Sequence, residues 1–141
     1  IFTLKDIKLN SFVDPLVPGV TCHVASIEAN LSLSDPSDSA VSCRQTGEIT
    51  PEMIARIKKG KTGEVVFEKS KSVFLKTLKI RRIFDEESQT LMYLSYSTRE
   101  TSGSFKHSLS TIPLWGTAAY VKPQSKSQSV EQSSSSTVQS F

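Results

Sequence analysis

Two cysteines, Cys22 and Cys43, are the residues of this sequence with the widest choice of chemistry. They could form a disulfide, supply a catalytic thiol beside a histidine, or hold part of a metal site. Their separation is not the C-x-x-C spacing of a redox dithiol. With only His23 and His107 as histidines in the chain, a four-ligand zinc site would need unusual help from carboxylates. We therefore expect no metal and no cofactor. A disulfide that closes a loop of about twenty residues is favoured, and two buried free thiols are the alternative.

The residues around each cysteine alternate as those of a β-strand do. Val20, Cys22 and Val24 share one face of an extended segment, and Val41 and Cys43 share a face of another. Both sulfur atoms are therefore predicted to point into a core, where a thiol is a poor nucleophile. A disulfide there would be structural and would imply an oxidising compartment.

Three basic residues on one predicted strand are candidate contacts for an anionic ligand: Lys79, Arg81 and Arg82. The two arginines are adjacent, so they must point to opposite faces of the strand. Arg82 is expected on the inward side with Ile80 and Phe84. An inward arginine either pairs with a carboxylate as a structural ion pair, which is favoured, or lines a pocket for an anion.

A scattered catalytic site is the alternative to a binding function. Asp35 and Asp38 in "SDPSDS" could act as a carboxylate pair, although Asp and Ser beside Pro are also typical of turns. Together with Arg82 and His107 they would form the site of a hydrolase or transferase. A pocket that gathers these residues would favour an enzyme, and a filled core would favour binding. The absence of a catalytic motif favours a non-enzymatic binding or accessory module, whose partner would be another protein or an anionic ligand.

The segments that carry these residues alternate with the period of an antiparallel sheet. Strands are predicted over 63–70, 72–85 and 90–97, with a bulge near Lys76 or Thr77 and a hairpin loop at "DEESQ" over 85–89. An edge strand is predicted over 108–115, because Pro113 cannot donate to a ladder. The fold class is mainly β, an antiparallel sheet folded toward a sandwich or partial barrel.

One short helix is predicted over 51–59. Thr50 is placed as its N-cap, Pro51 occupies the first helical position, and Gly60 follows the last turn. Met53, Ile54 and Ile57 would form its buried stripe.

The length of 141 residues and the composition fit one folded domain. This domain is predicted over 1–120 and a disordered tail over 121–141, where Ser and Gln supply twelve of twenty-one residues. A formal charge of +3 is too mild to indicate nucleic-acid binding. The apolar runs are too short to span a membrane. Because the chain starts at Ile1, we expect that a leader was removed.

Several segments, taken in order, resemble those of the CreA family of small exported proteins of Gram-negative bacteria. They are "VTCHVASI", "DSAVSCRQTGEI", "GEVVFEKS", "LKIRRIFDEESQTLMYLSYSTR" and "SLSTIPLW", and the resemblance covers about Val13 to Trp115. It implies periplasmic export and a β domain with paired cysteines. It implies no mechanism and no catalytic or binding residues.

Overall fold

The fold consists of two antiparallel sheets and one short helix, as seen in a computed structural model that describes residues 5–29, 39–71, 76–97 and 107–123. In chain order the elements are β1 (Lys5–Val13), β2 (Val20–Ala29), β3 (Ser39–Gln45), α1 (Pro51–Arg56), β4 (Glu64–Lys71), β5 (Lys76–Asp85), β6 (Thr90–Ser97) and β7 (His107–Pro113). The first sheet has the order β1-β2-β3 and the second the order β4-β5-β6-β7. The predicted mainly β class is confirmed.

The three-stranded sheet has an uninterrupted register. Cys22 lies opposite Cys43 on one side and opposite Phe12 on the other, so these three side chains share the inner face. Both cysteines are fully buried, as their strand phase predicted. The segment that forms β1 was not predicted as a strand.

The four-stranded sheet is a meander of neighbouring strands. The predicted hairpin loop lies between β5 and β6, where Gln89 adopts a positive φ of 53°. The bulge predicted near Lys76 or Thr77 is wrong, because these residues pair regularly with Lys71 and Ser70. The register shift instead lies in β4, between Val65 and Phe67. The first four residues of the strand predicted over 72–85 lie outside the described residues.

The two sheets contact each other at both sides, as a sandwich or partial barrel requires. On one side β3 lies beside β7, and the backbone N–H of Cys43 donates to Ser110 Oγ at 2.9 Å. On the other side the rings of Phe12 and Phe67 stack with their centroids 4.7 Å apart. The core between them contains mainly aliphatic side chains, with the disulfide and Tyr93 among them.

The helix begins where predicted and ends earlier than predicted. Thr50 caps it, with its side chain accepting from the Met53 N–H at 3.3 Å, and Pro51 follows. The helix ends at Arg56 because Ile57 turns to extended backbone, and because the Lys58 N–H donates to the Glu64 carboxylate at 3.2 Å. That N–H is therefore not available to continue the helical ladder.

The chain after β7 is held against the β5–β6 hairpin. The Leu114 N–H donates to the Gln89 carbonyl at 2.8 Å, and the Val121 N–H donates to the Gln89 side-chain oxygen at 3.2 Å. Most of the predicted tail, residues 124–141, lies outside the described residues. The boundary at residue 120 and the disorder of the tail stay predictions.

Candidate functional site

Arg82 lies inside the molecule and forms a two-point ion pair with Asp14. Its Nε and one terminal nitrogen donate to the two carboxylate oxygens of Asp14, each at 2.8 Å. Its other terminal nitrogen donates to Glu64 Oε1, also at 2.8 Å. The side chains of Arg82 and Asp14 are 0% exposed, and that of Glu64 is 33% exposed. Such a planar, two-point arrangement uses the geometry that distinguishes arginine from lysine.

Asp14 is fixed by the turn that follows β1. Its Oδ1 accepts from the backbone N–H groups of Leu16 at 3.0 Å and Val17 at 3.3 Å, as an Asp side chain does in an Asx-turn. The hydroxyl of Tyr93, on β6, donates to the other carboxylate oxygen at 2.6 Å. The carboxylate thus joins the first sheet to two strands of the second.

Glu64 reaches Arg82 because Gly63 lets the two backbones approach closely. Gly63 has φ of 56°, and a Cβ at this position would lie 1.8 Å from the backbone oxygen of Arg82. Only glycine fits a left-handed conformation with that contact. The turn into β4 therefore places the Glu64 carboxylate beside the guanidinium.

The pKa values of Asp14, Glu64 and Arg82 are shifted in the direction that favours their charged forms, and the pKa of Tyr93 in the direction that favours its neutral form. Burial by itself would raise the pKa of Asp14, but hydrogen bonds from Arg82 and Tyr93 and the Arg82 charge hold it below its ordinary value. Hydrogen bonding from Arg82 lowers the pKa of Glu64. Burial and the Asp14 charge raise the pKa of Tyr93. Burial opposes the charge of Arg82, but bonding to Asp14 outweighs it and raises the pKa. The network stays ionised at neutral pH, with Tyr93 as a neutral donor.

Cys22 and Cys43 form a disulfide across β2 and β3, with their Cα atoms 4.0 Å apart. The two residues face each other in the ladder, so the bond adds a covalent link to an existing strand pair. Its burial in the core and the hydrogen bond from Cys43 to Ser110 place it at the junction of the two sheets.

Lys79 and Arg81 lie on the opposite face of the four-stranded sheet from Arg82. Lys79 pairs with Tyr96, and Arg81 pairs with Leu94, so these side chains share the outer face. The Arg81 Nε donates to the Tyr96 hydroxyl at 3.2 Å, and its guanidinium lies 6.0 Å from the centre of the ring. Leu109, opposite Leu94 on β7, is 56% exposed. The outer face thus combines two cations with an aromatic ring, leucines and the exposed Glu68, which lies opposite Lys79 on β4.

The residues of the predicted scattered site are not assembled by the described structure. His107 pairs with Tyr96 and therefore lies on the outer face, whereas Arg82 lies on the inner face. Asp35 and Asp38 lie outside the described residues. Within the described ranges, no group of three or more His, Cys, Asp or Glu side chains is placed to hold a metal ion. No helix there is long and apolar enough to cross a membrane.

The inward position of Arg82 was predictable from its strand, whereas its partners were not. Asp14 precedes Pro15 in a segment that reads as a turn, and it lies 68 residues from Arg82 in the chain. Tyr93 lies 79 residues from Asp14 in the chain. The inward position of Arg82 on its strand could have indicated such a partner, because a buried guanidinium requires a carboxylate near it.

The fold and the buried network define a disulfide-bonded β protein in which a charged cluster links two sheets. The family model described as "CreA protein" matches residues 1–117 of the chain. The chain is also 42% identical over 115 residues to Protein CreA of Escherichia coli strain K12, covering 77% of this chain and 72% of that protein. Protein CreA of Escherichia coli O157:H7 matches with the same values. The chain belongs to the CreA family, and no solved structure matches it.

Proposed function

We propose that this chain is an exported, periplasmic protein that binds an acidic segment of another envelope protein and catalyses no reaction. The buried disulfide supports the compartment, because such bonds persist where the environment is oxidising. The family resemblance implies the same location. A cleaved signal peptide is part of this proposal.

The outer face of the four-stranded sheet is the observation that carries the binding function. It presents Lys79 and Arg81 beside Tyr96, with Leu94 and the exposed Leu109 next to them. Aromatic and arginine side chains contribute disproportionately to protein interfaces, and leucines beside them exclude water. Lys79 lies opposite Glu68 of β4, whereas Arg81 lies between Val65 and Leu94, so Arg81 contributes most to a preference for a partner segment that carries Asp or Glu.

Among the three predicted anion contacts, we assign this role to Lys79 and Arg81. The three donor nitrogens of Arg82 all bond to Asp14 or Glu64, so contact with another anion would require breaking a buried pair. Arg81 instead uses two of its nitrogens for the Tyr96 hydroxyl, in a partly buried contact, and for the Thr62 carbonyl, in an exposed one. We therefore assign Arg82 to folding and Arg81 to binding.

Site-specific photo-crosslinking in Gram-negative bacterial cells tests whether the outer face contacts a partner protein. A photoreactive amino acid replaces Leu109 on the outer face, and in a matched variant it replaces the exposed Ser42 of β3. We expect a crosslinked protein from position 109 and not from position 42, with the crosslinked peptide rich in acidic residues. Equal crosslinking from both positions, or none from position 109, would contradict the proposal.

Cell fractionation with thiol labelling tests the compartment separately. We expect the chain in the periplasmic fraction with Cys22 and Cys43 protected from alkylation until a reductant and denaturant are added. Recovery in the cytoplasmic fraction with two reactive thiols would overturn the assignment to the envelope.

A further inference from the structure

The outer face of the four-stranded sheet carries apolar side chains on every strand. They are Val65 on β4, Ile83 on β5, Met92 and Leu94 on β6, and Leu109 on β7. The first four are half-buried, and Leu109 is 56% exposed. An antiparallel sheet whose outer face meets only water commonly has polar residues at such positions. The face is therefore suited to being covered by a further layer.

A segment that covers this face cannot obtain backbone hydrogen bonds from the sheet. β5 and β6 are paired on both sides, and β7 has β6 on one side and β3 beside it on the other. On the side of β4 where the described structure places no strand, an added strand would extend the sheet sideways and leave Leu94 and Leu109 uncovered. A single extended segment laid across the face would bury unpaired N–H and C=O groups, whereas a helix pairs these groups internally.

We propose that the acidic partner segment binds this face as an amphipathic α-helix whose axis follows the strands. The inference rests on the proposed function, because it concerns the same face and the same partner. Three spacings between four strands make the face about 14 Å wide, enough for one helix of about 10–12 Å in diameter. The outward residues of β6, from Thr90 to Tyr96, extend over about 20 Å, the length of about 13 helical residues.

The cations on β5 determine which side of the helix carries the acidic residues. Arg81 uses Nε and one terminal nitrogen for Tyr96 and Thr62, and its other terminal nitrogen donates to no described residue. That nitrogen is available to a carboxylate. Glu68 on β4 would repel an acidic residue placed further toward that edge. We therefore expect apolar residues at i, i+3, i+4 and i+7 above β6 and β7, and Asp or Glu on the flank above β5.

The longest part of this chain outside the described ranges is a poor occupant of the face. Residues 124–141 contain three apolar residues, Val130, Val138 and Phe141, and one acidic residue, Glu131. An amphipathic helix has three to four apolar residues in every two turns, which this segment does not supply. A partner that brings both an apolar stripe and acidic residues suits the face better.

The spacing of crosslinks along the partner distinguishes a helix from an extended segment. A photoreactive amino acid replaces Leu109 in one variant and Pro113 in another, two outward residues of β7 that lie about 13 Å apart along the strand. At 1.5 Å per residue, the two crosslinked residues of a bound helix should be about eight or nine positions apart. In an extended segment they would be about four positions apart. Thr111, between the two, should crosslink to a residue about halfway between theirs, and Ser42 on β3 should give no crosslink.

A synthetic peptide of the crosslinked segment provides a second readout. Pro at its central position should raise the dissociation constant by about tenfold or more relative to Ala there, because Pro breaks a helix. Circular dichroism and the retained disulfide establish that the crosslinking variants are folded. A spacing of about four, or equal affinities of the Pro and Ala peptides, would overturn the helix and leave the proposed function standing. No crosslink from any outward position, or a crosslink only to residues 124–141 of the same chain, would overturn both.

Discussion

Among single residues, the adjacent arginines Arg81 and Arg82 have different surroundings because strand side chains alternate between the two faces of a sheet. Arg82 enters the core, where its charge is stable only with Asp14 and Glu64 beside it. Arg81 stays on the surface with Tyr96. Their neighbouring positions offer a matched comparison of a folding residue with a surface residue.

Arg82→Met should cost about 3–5 kcal/mol of unfolding free energy, because it leaves the Asp14 carboxylate buried without a cation. Arg81→Met should cost about 1 kcal/mol, since the residue is only half-buried and loses surface hydrogen bonds. Urea unfolding of both variants measures the difference. If Arg82→Met cannot be purified folded, Arg82→Lys, which keeps the charge without the two-point geometry, should show an intermediate loss. Equal stability of the two methionine variants would contradict the structural role of Arg82.

Asp14 should dominate the loss of stability in acid. Its pKa in the folded protein lies below the ordinary 3.8, so its contribution is complete above that value and disappears as the pH falls through the lowered pKa. Between pH about 5 and about 2 the wild type should lose stability steeply. Asp14→Asn should be less stable at neutral pH and should lose less over the same interval. Parallel acid profiles for the two proteins would show that Asp14 is not the titrating group.

At the scale of elements, the disulfide reinforces a strand pair that the ladder already forms. Cys22 and Cys43 are 21 residues apart in sequence and face each other in the β2–β3 register. The bond therefore restricts the unfolded chain more than it shapes the folded one.

Replacing Cys22 and Cys43 together by Ala should leave the fold intact and lower the unfolding free energy by about 3 kcal/mol. Thermal unfolding compared with the oxidised wild type measures the loss, and a free-thiol assay in denaturant confirms that the wild type is oxidised. A double variant as stable as the wild type would show that the bond has a role other than stability.

Much of the element order was predictable from the strand pattern. The pairs between residues far apart in the chain, such as Arg82 and Asp14, were not predictable. Apolar alternation placed both cysteines and Arg82 on inner faces, and Thr50 with Pro51 marked the start of the helix. The end of the helix depends on Glu64, which binds the Lys58 N–H from a later element. β1 was missed because its odd-numbered apolar residues face outward, opposite to the inward Phe12 of the same strand. The residues next to each other in the sequence do not specify contacts with a distant element, such as the one between Glu64 and Lys58.

At the scale of the whole molecule, two sheets meet around a core that a buried ion pair crosses. Asp14 follows the first sheet, and Arg82 and Tyr93 belong to the second, so the cluster ties the halves together from within. The proposed binding site lies on the outer face of the second sheet. The inner faces thus stabilise the fold, and the outer surfaces offer the proposed interactions.

A chain that ends at Tyr120 should fold and melt within a few degrees of the full chain. The predicted tail lacks a periodic apolar face. Its first three residues, 121–123, are described by the structure and are exposed. This change removes the hydrogen bond from Val121 to Gln89, which is one partly buried contact. Differential scanning calorimetry of both chains makes the comparison. A large fall in melting temperature would move the domain boundary beyond residue 120.

Lys79 and Arg81 are the residues proposed to bind an acidic partner segment. The most direct measurement is the dissociation constant of the partner that crosslinks at position 109, for the wild type and for the Lys79→Glu, Arg81→Glu double variant. A double variant of the exposed Lys59 and Lys122, each changed to Glu, matches the charge change away from this face. Reversal at 79 and 81 should weaken binding by about tenfold or more, and the control by no more than about twofold. Equal affinity of all three folded proteins would contradict the binding role of Lys79 and Arg81.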